Sequence, residues 1–239
     1  MKDNKLKISI IYKILGASIF ISFFSYNVEA ALLYINADQN ADLASDLPDR
    51  NYYQQSSASS LTVGDSTQFG PRQRQTMLGF DVTALNELSS NSSSGQIVIN
   101  RMTISLLAYT NNDDTSISIS LGNKDAWDSN IVTWNTSAND FGASIDEVFI
   151  PQFWGSAFLA RWDVSNIHSS EYTTDSYLTF YLHNSVLGNS NAWTNFYSIN
   201  GNVIPRLTID YSIVPIPAAI WLFGSGLIVL ASITRRNKN

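Results

Sequence analysis

Ile117-Ser118-Ile119-Ser120-Leu121 alternates apolar and polar side chains without a break. Successive side chains of a strand point to opposite faces, so a period of two lays Ile117, Ile119 and Leu121 along one face and the serines along the other. That is a half-buried strand with one wet side. Working outward, 97–99 and 102–109 together form the longest apolar alternation. Further strands are expected at 31–35, 61–64, 75–82, 131–134, 147–150, 157–164, 177–183, 192–199 and 204–211. Between them lie Ser-, Asn- and Asp-rich turns, and 36–60 is a long polar stretch with little periodicity. Helical turns are expected only after Val164 or around Ala84. Ten or eleven strands without a persuasive amphipathic helix predict an all-β domain, a β-sandwich.

The composition of this body narrows its partners. Between residues 31 and 211 there are 7 Lys and Arg against 18 Asp and Glu, a formal charge of −11, more acidic than the −6 of the whole chain. A duplex-binding face needs clustered cations to displace counterions, so nucleic acid is not expected as a partner. An anionic polysaccharide is disfavoured on the same net charge unless divalent cations bridge. The chain has no Cys, so no disulfide framework supports it and stability must come from the core. Trp134 and Trp162 sit in alternating runs and are expected inside.

Both ends carry their own signals. Lys2, Lys5, Lys7 and Lys13 lead into or border an apolar run at 14–24, followed by small residues around Ala30 and Ala31. This pattern reads as a signal peptide over 1–30, cleaved between Ala30 and Ala31 after passage through the Sec translocon. At the other end, 212–239 contains an uncharged apolar segment, taken as a transmembrane helix over 217–233, and then Arg235, Arg236 and Lys238. Sixteen residues from 218 to 233 rise only ~24 Å as a helix, marginal for a bilayer core of ~30 Å. The basic end is expected to stay cytoplasmic.

The order Val214-Pro215-Ile216-Pro217, Ala218-Ala219-Ile220-Trp221-Leu222-Phe223-Gly224-Ser225-Gly226-Leu227 and Arg235-Arg236 resembles the PEP-CTERM sorting tail. Ile216 stands where the name-giving form has Glu. The resemblance implies an exosortase partner acting near Pro215–Pro217, an inner-membrane intermediate, and a final place on the surface or in the extracellular matrix of a Gram-negative bacterium. A second resemblance covers the body. Leu61-Thr62-Val63-Gly64, Leu78-Gly79-Phe80-Asp81-Val82, Trp127 with Trp134-Asn135, and Pro205-Arg206-Leu207-Thr208-Ile209-Asp210-Tyr211 together resemble the DNRLRE-type domain. That likeness implies a jelly-roll sandwich over 31–211, of a kind sometimes used as a carbohydrate-binding module. Ser198-Ile199-Asn200 departs from the family, where an Arg-Glu pair is common after Ser.

Catalytic chemistry finds little footing. The two histidines, His168 and His183, have no metal-ligand spacing and do not suggest a triad. Asp125 and Asp128 flank Trp127, which a polysaccharide-active enzyme could use as an acid pair, but Asx turns have the same composition. No catalytic residue is therefore assigned. No cofactor is certain. A structural calcium ion is a candidate at Asn112, Asp113 and Asp114, or within 38–42, from hard oxygen ligands alone, and the same residues make turns. Aromatic rings stack on the apolar C–H face of sugars. Tyr52, Tyr53, Trp127, Phe153 and Trp154 are the glycan-contact candidates, and Trp162 and Trp193 are considered for the same role, with core packing the alternative for all of them. The expected function is a non-enzymatic surface or matrix protein that binds extracellular polysaccharide. A self-associating adhesin or matrix subunit, and a polysaccharide-active enzyme, are the alternatives.

Overall fold

A computed structural model describes residues 29–51, 60–66, 72–91, 95–124, 127–167, 176–185 and 191–215. The expected signal helix and transmembrane helix lie outside these residues. Among the described residues no helix is long and apolar enough to cross a membrane. The chain divides into two units, one of Met1–Glu29, Ser94–Gln96 and Ile213–Asn239, the other of Ala30–Ser93 and Ile97–Ser212. Of the first, only strand ends are described; the second is the β domain.

Eleven antiparallel strands and two helices are found among the described residues: β1 Glu29–Asn36, β2 Gln39–Ala44, β3 Ser60–Ser66, β4 Arg72–Asp81, α1 Thr83–Asn91, β5 Gly95–Asn111, β6 Thr115–Gly122, α2 Trp134–Ser137, β7 Phe141–Ile150, β8 Phe158–Asp163, β9 Tyr177–Asn184, β10 Trp193–Tyr197 and β11 Arg206–Pro215. They form one curled sheet ordered β1-β11-β5-β10-β3-β4-β9-β6-β7, with β8 added on β5 and β2 on β4. The sheet therefore contains two ladders, β1-β11-β5-β8 and β4-β9-β6-β7, joined through β10 and β3.

The core is the apolar phase of each alternation. Met102, Ile104, Leu106 and Ala108 of β5 face in, with Ala160 and Trp162 of β8 and Leu207 and Ile209 of β11; Leu78, Phe80, Phe180, Ile117 and Ile119 come from the other ladder. Phe80 meets Phe180 edge-on at 6.0 Å, and Trp162 meets Phe196 at 6.1 Å. Trp162 is fully buried, as its alternating run predicts, and donates its Nε1–H to the Ile117 carbonyl at 2.8 Å. This bond ties β8 of one ladder to β6 of the other, and satisfies a polar group that would otherwise be costly to bury.

Three local expectations fail. Segment 39–44, inside the long polar stretch where no strand is expected, is strand β2, held by a six-residue register from Gln39↔Gly79 to Ala44↔Arg74. Segment 131–134 is not a strand. Asp128 closes a turn there, and Thr133 with Thr136 forms a capping box that starts α2. Finally, the serine side of β6 is not wet: Ser118 and Ser120 are buried, and Ser120 Oγ lies 3.1 Å from His183 Nε2 on the neighbouring strand β9.

A smaller apolar cluster, Ala41, Leu43, Met77, Val132 and Tyr181, packs under the 127–141 segment, with Trp127, Trp134 and Phe141 against it. Trp134 is thus half-buried in this satellite rather than in the main core.

Candidate functional site

The outward phase of β1-β11-β5-β8 is where polar and aromatic groups converge. On β5 the residues alternating with the core are Arg101, Thr103, Ser105 and Leu107; β8 contributes Leu159 and Arg161, β11 contributes Arg206, Thr208 and Asp210, and β1 contributes Leu32 and Tyr34. Register fixes their neighbours, setting Ser105 across from Arg161 and Leu107 across from Leu159. With Val203 and Ile204 from the turn before β11, they line an open groove of about 610 Å³.

Three of the seven cationic side chains of the body, Arg101, Arg161 and Arg206, lie on this one face. The domain is acidic overall, yet these three cations share one face. Arg206 Cζ stands 5.6 Å above the centre of the Tyr34 ring, and its Nε–H reaches Asn36 Oδ1 at 3.4 Å. Tyr34 remains 56% exposed, so much of its surface is open to a ligand. Arg101 pairs with Asp163 at 3.2 Å. Asp163 is itself fixed by the Ser165 hydroxyl at 2.5 Å and backbone N–H at 3.0 Å. Those bonds, with Arg101, hold its carboxyl below the usual carboxylate range. Asp210 accepts from Asn100 Nδ2 at 3.1 Å. A guanidinium presents a planar fork of donors, so such a face suits carboxylate, sulfate and vicinal hydroxyl groups better than a lone ammonium would.

The residues expected from sequence to touch glycan are not brought together. Tyr52 and Tyr53 lie outside the described residues. Trp127 is half-buried on the satellite cluster and donates its Nε1–H to Thr179 Oγ1 at 2.9 Å. Phe153 is half-buried, bridges Asn111 and packs against Phe158 at 6.2 Å. Trp154, beside it, is 68% exposed.

Asn112, Asp113 and Asp114 form the β5–β6 turn, and each engages one side-chain oxygen within the protein. Asp113 Oδ1 accepts the Asp114 N–H at 2.9 Å, Asp114 Oδ1 accepts the Gln152 N–H at 2.7 Å, and Asn112 Oδ1 accepts the Trp193 N–H at 2.6 Å. Among the described residues no group of three or more His, Asp or Glu side chains is placed to hold a metal.

Asp125 and His168 are outside the described residues. Asp128 accepts the Asn130 backbone N–H and side-chain amide, both at 2.8 Å, which lowers its carboxyl and is the bonding of an Asx turn. His183 is a β9 residue, 3.1 Å from Ser120 Oγ and stacked on Phe141 at 4.6 Å. Burial lowers its imidazole. Ser120 is fully buried, so this pair faces no substrate space. Of the sorting residues, Val214 and Pro215 end β11, while Ile216, Pro217, Arg235 and Arg236 lie outside the described residues. Ala30 and Ala31 lie near the start of β1.

Tyr34, Arg101, Arg161 and Arg206 were not singled out from sequence. Each is an outward residue on a strand with an apolar inner phase, which is a usable signal. What joins the four is strand order, and no local pattern encodes it.

A curled β-sheet with an exposed aromatic ring and three arginines in an open groove is the architecture of a binding module. Its family can be stated. The chain belongs to carbohydrate-binding module family 96, whose model matches residues 31–211. No curated protein matches the chain. Among solved structures, a chain of the cryo-EM structure of Mud crab tombus-like virus is similar over 81% of each chain at 10% identity, with a TM-score of 0.27. A likeness that weak carries no argument.

Proposed function

We infer that residues 31–211 are a non-catalytic carbohydrate-binding module, and that the groove on β1-β11-β5-β8 holds the polysaccharide. Membership of the family supports the general reading. The convergence of Arg101, Arg161 and Arg206 with the exposed Tyr34 ring carries the specific one. Acidic sugars, carboxylated or sulfated, are the ligand class that such a face favours. The guanidinium groups bond the anionic substituents, and Tyr34 and Leu32 cover the apolar side of the rings.

The test is affinity electrophoresis of the full chain in gels containing pectate, alginate, dextran sulfate or a neutral glucan. Retardation by an acidic polymer that weakens as salt rises is expected, since screening shortens to ~8 Å at physiological ionic strength. Retardation only by the neutral glucan would remove the arginines from the reading, and none by any polymer would count against the groove.

The strand orders β1-β11-β5-β8 and β4-β9-β6-β7 support the jelly-roll form of the sandwich implied by the DNRLRE resemblance. The two ends support export. The reading is a Sec-dependent signal removed between Ala30 and Ala31, and an exosortase acting at Val214-Pro215-Ile216-Pro217 ahead of Arg235-Arg236, which leaves the module on the cell surface or in the matrix. Mass spectrometry of the surface-released protein tests this, and an intact Arg235-Arg236 end would sink it.

A further inference from the structure

The outward face of β5 continues past the groove. Tyr109, two residues beyond Leu107, meets Tyr197 of β10 at 5.1 Å with the rings tilted by 45°. Tyr197, Asn195 and Trp193 are the outward residues of β10, because Phe196 and Thr194 between them are fully buried. Beyond the tyrosines, Trp193 and Asn195 join Thr62, Gly64, Asp65, Arg72 and Arg74 around a second cavity of about 330 Å³.

This cavity is built around Trp193, whose backbone is held at both its N–H and its carbonyl. The Trp193 backbone N–H is held by Asn112 Oδ1 at 2.6 Å, its carbonyl accepts from the Asn112 N–H at 3.3 Å, and Asn112 Nδ2 reaches the Asn191 carbonyl. Gly64 pairs directly with Trp193. A Cβ at Gly64 would collide with the Ala192 carbonyl oxygen and the Trp193 backbone, so the glycine is what lets β3 approach there. The outcome is a tryptophan 37% exposed on a rigid backbone, with Arg74 of β4 next to Gly64 in register and Arg72, which pairs with Asp46 at 3.5 Å, two residues before it. A backbone already ordered before binding lowers the entropy cost of stacking a ring on the side chain it carries.

We propose that the Trp193 cavity is a second saccharide subsite, with Arg72 and Arg74 facing an acidic substituent, and that one polysaccharide chain runs from the groove across Tyr109 and Tyr197 to reach it. This rests on the reading of the groove as a saccharide site. β10 runs antiparallel to β5, with Thr194 beside Asn111, so Trp193 lies level with the end of β5. From Leu107 to that level is five residues, about 17 Å at strand rise, the length of three to four sugar units. The ligand is then an internal stretch of polymer rather than a chain end.

The test is calorimetric titration of the full chain with size-defined oligomers cut from pectate and from alginate, three to ten units long. Wild type is expected to gain affinity up to about eight units. Trp193→Leu is expected to plateau at about four units and to bind the longest oligomers about tenfold more weakly, and Trp193→Phe to recover most of the loss. Thermal melts separate an effect on binding from one on folding, with Trp193→Phe as the folded control. Arg206→Ala reports on the groove alone. Arg206→Ala weakened while Trp193→Leu keeps the wild-type length profile would overturn the subsite and leave the groove standing. No binding by wild type to any oligomer would overturn both.

Discussion

The Arg206 guanidinium sits 5.6 Å above the centre of the Tyr34 ring, joining β11 to β1 across the floor of the groove. An exposed cation–π contact is worth only ~0.5–1 kcal/mol to folding. Its larger consequence is placement, because the ring restrains a long side chain before ligand arrives. Arg206→Ala is expected to change stability by no more than about 1 kcal/mol in denaturant titrations. It should weaken binding of acidic polymer about tenfold, with Arg206→Lys intermediate, since Lys keeps the charge but loses the fork.

A pH response is expected from Asp42. Its carboxylate accepts the Thr62 N–H at 3.1 and 3.0 Å through its two oxygens, and the Thr76 hydroxyl at 2.8 Å. Burial nevertheless outweighs these bonds and pushes the carboxyl up to about 6 from 3.8. The folded protein then binds this proton more tightly than the unfolded chain does, so the contribution of Asp42 to stability is greatest below about pH 4 and is lost as pH rises through 6. Asp42→Asn should flatten that segment, so its stability relative to wild type improves by ~1–3 kcal/mol between pH 4 and 7. Melting temperatures of both proteins across that range check it. A difference independent of pH would show that Asp42 does not titrate there.

The bond from Trp162 to the Ile117 carbonyl links the two ladders at full burial. Trp162→Phe removes the donor, leaves the carbonyl without that partner and opens a small cavity. A loss of about 2–4 kcal/mol in urea unfolding, at unchanged m-value, is expected.

Gly64→Ala puts a methyl group against the backbone of β10. The strands must part or the peptide must rotate, at about 1–3 kcal/mol. Because Trp193 rides on that backbone, the same substitution is expected to blunt the gain in affinity with oligomer length, measured in the titrations above.

Much of the sandwich is readable from alternation alone. The apolar inner phase of β5 announces its dry face, and Trp162 falls where its run requires, whereas the serine side of β6, read as wet, is buried at Ser118 and Ser120. The readings fail where tertiary pairing overrides local composition. Gln39-Asn40-Ala41-Asp42-Leu43-Ala44 has neither β-branched nor aromatic residues, and becomes a strand because β4 offers its edge. Ile131 and Val132 look like strand residues, but Asp128 before them and Thr133 after them supply turn and cap. The groove is less legible still. Loop aromatics such as Trp127 draw attention, yet that indole packs on the satellite cluster, while Tyr34 and the three arginines lie on strands far apart in sequence. Net charge, a sum over residues, does not say which face carries the cations.

The groove itself is tested most directly by affinity electrophoresis of a triple variant, Arg101→Ala with Arg161→Ala and Arg206→Ala, beside Trp154→Ala. Each is run in gels with and without the acidic polymer that retards wild type. The triple variant should migrate alike in both gels, while Trp154→Ala is retarded as wild type is. A triple variant retarded as strongly as wild type, with its fold intact by circular dichroism, would place the ligand elsewhere on the domain.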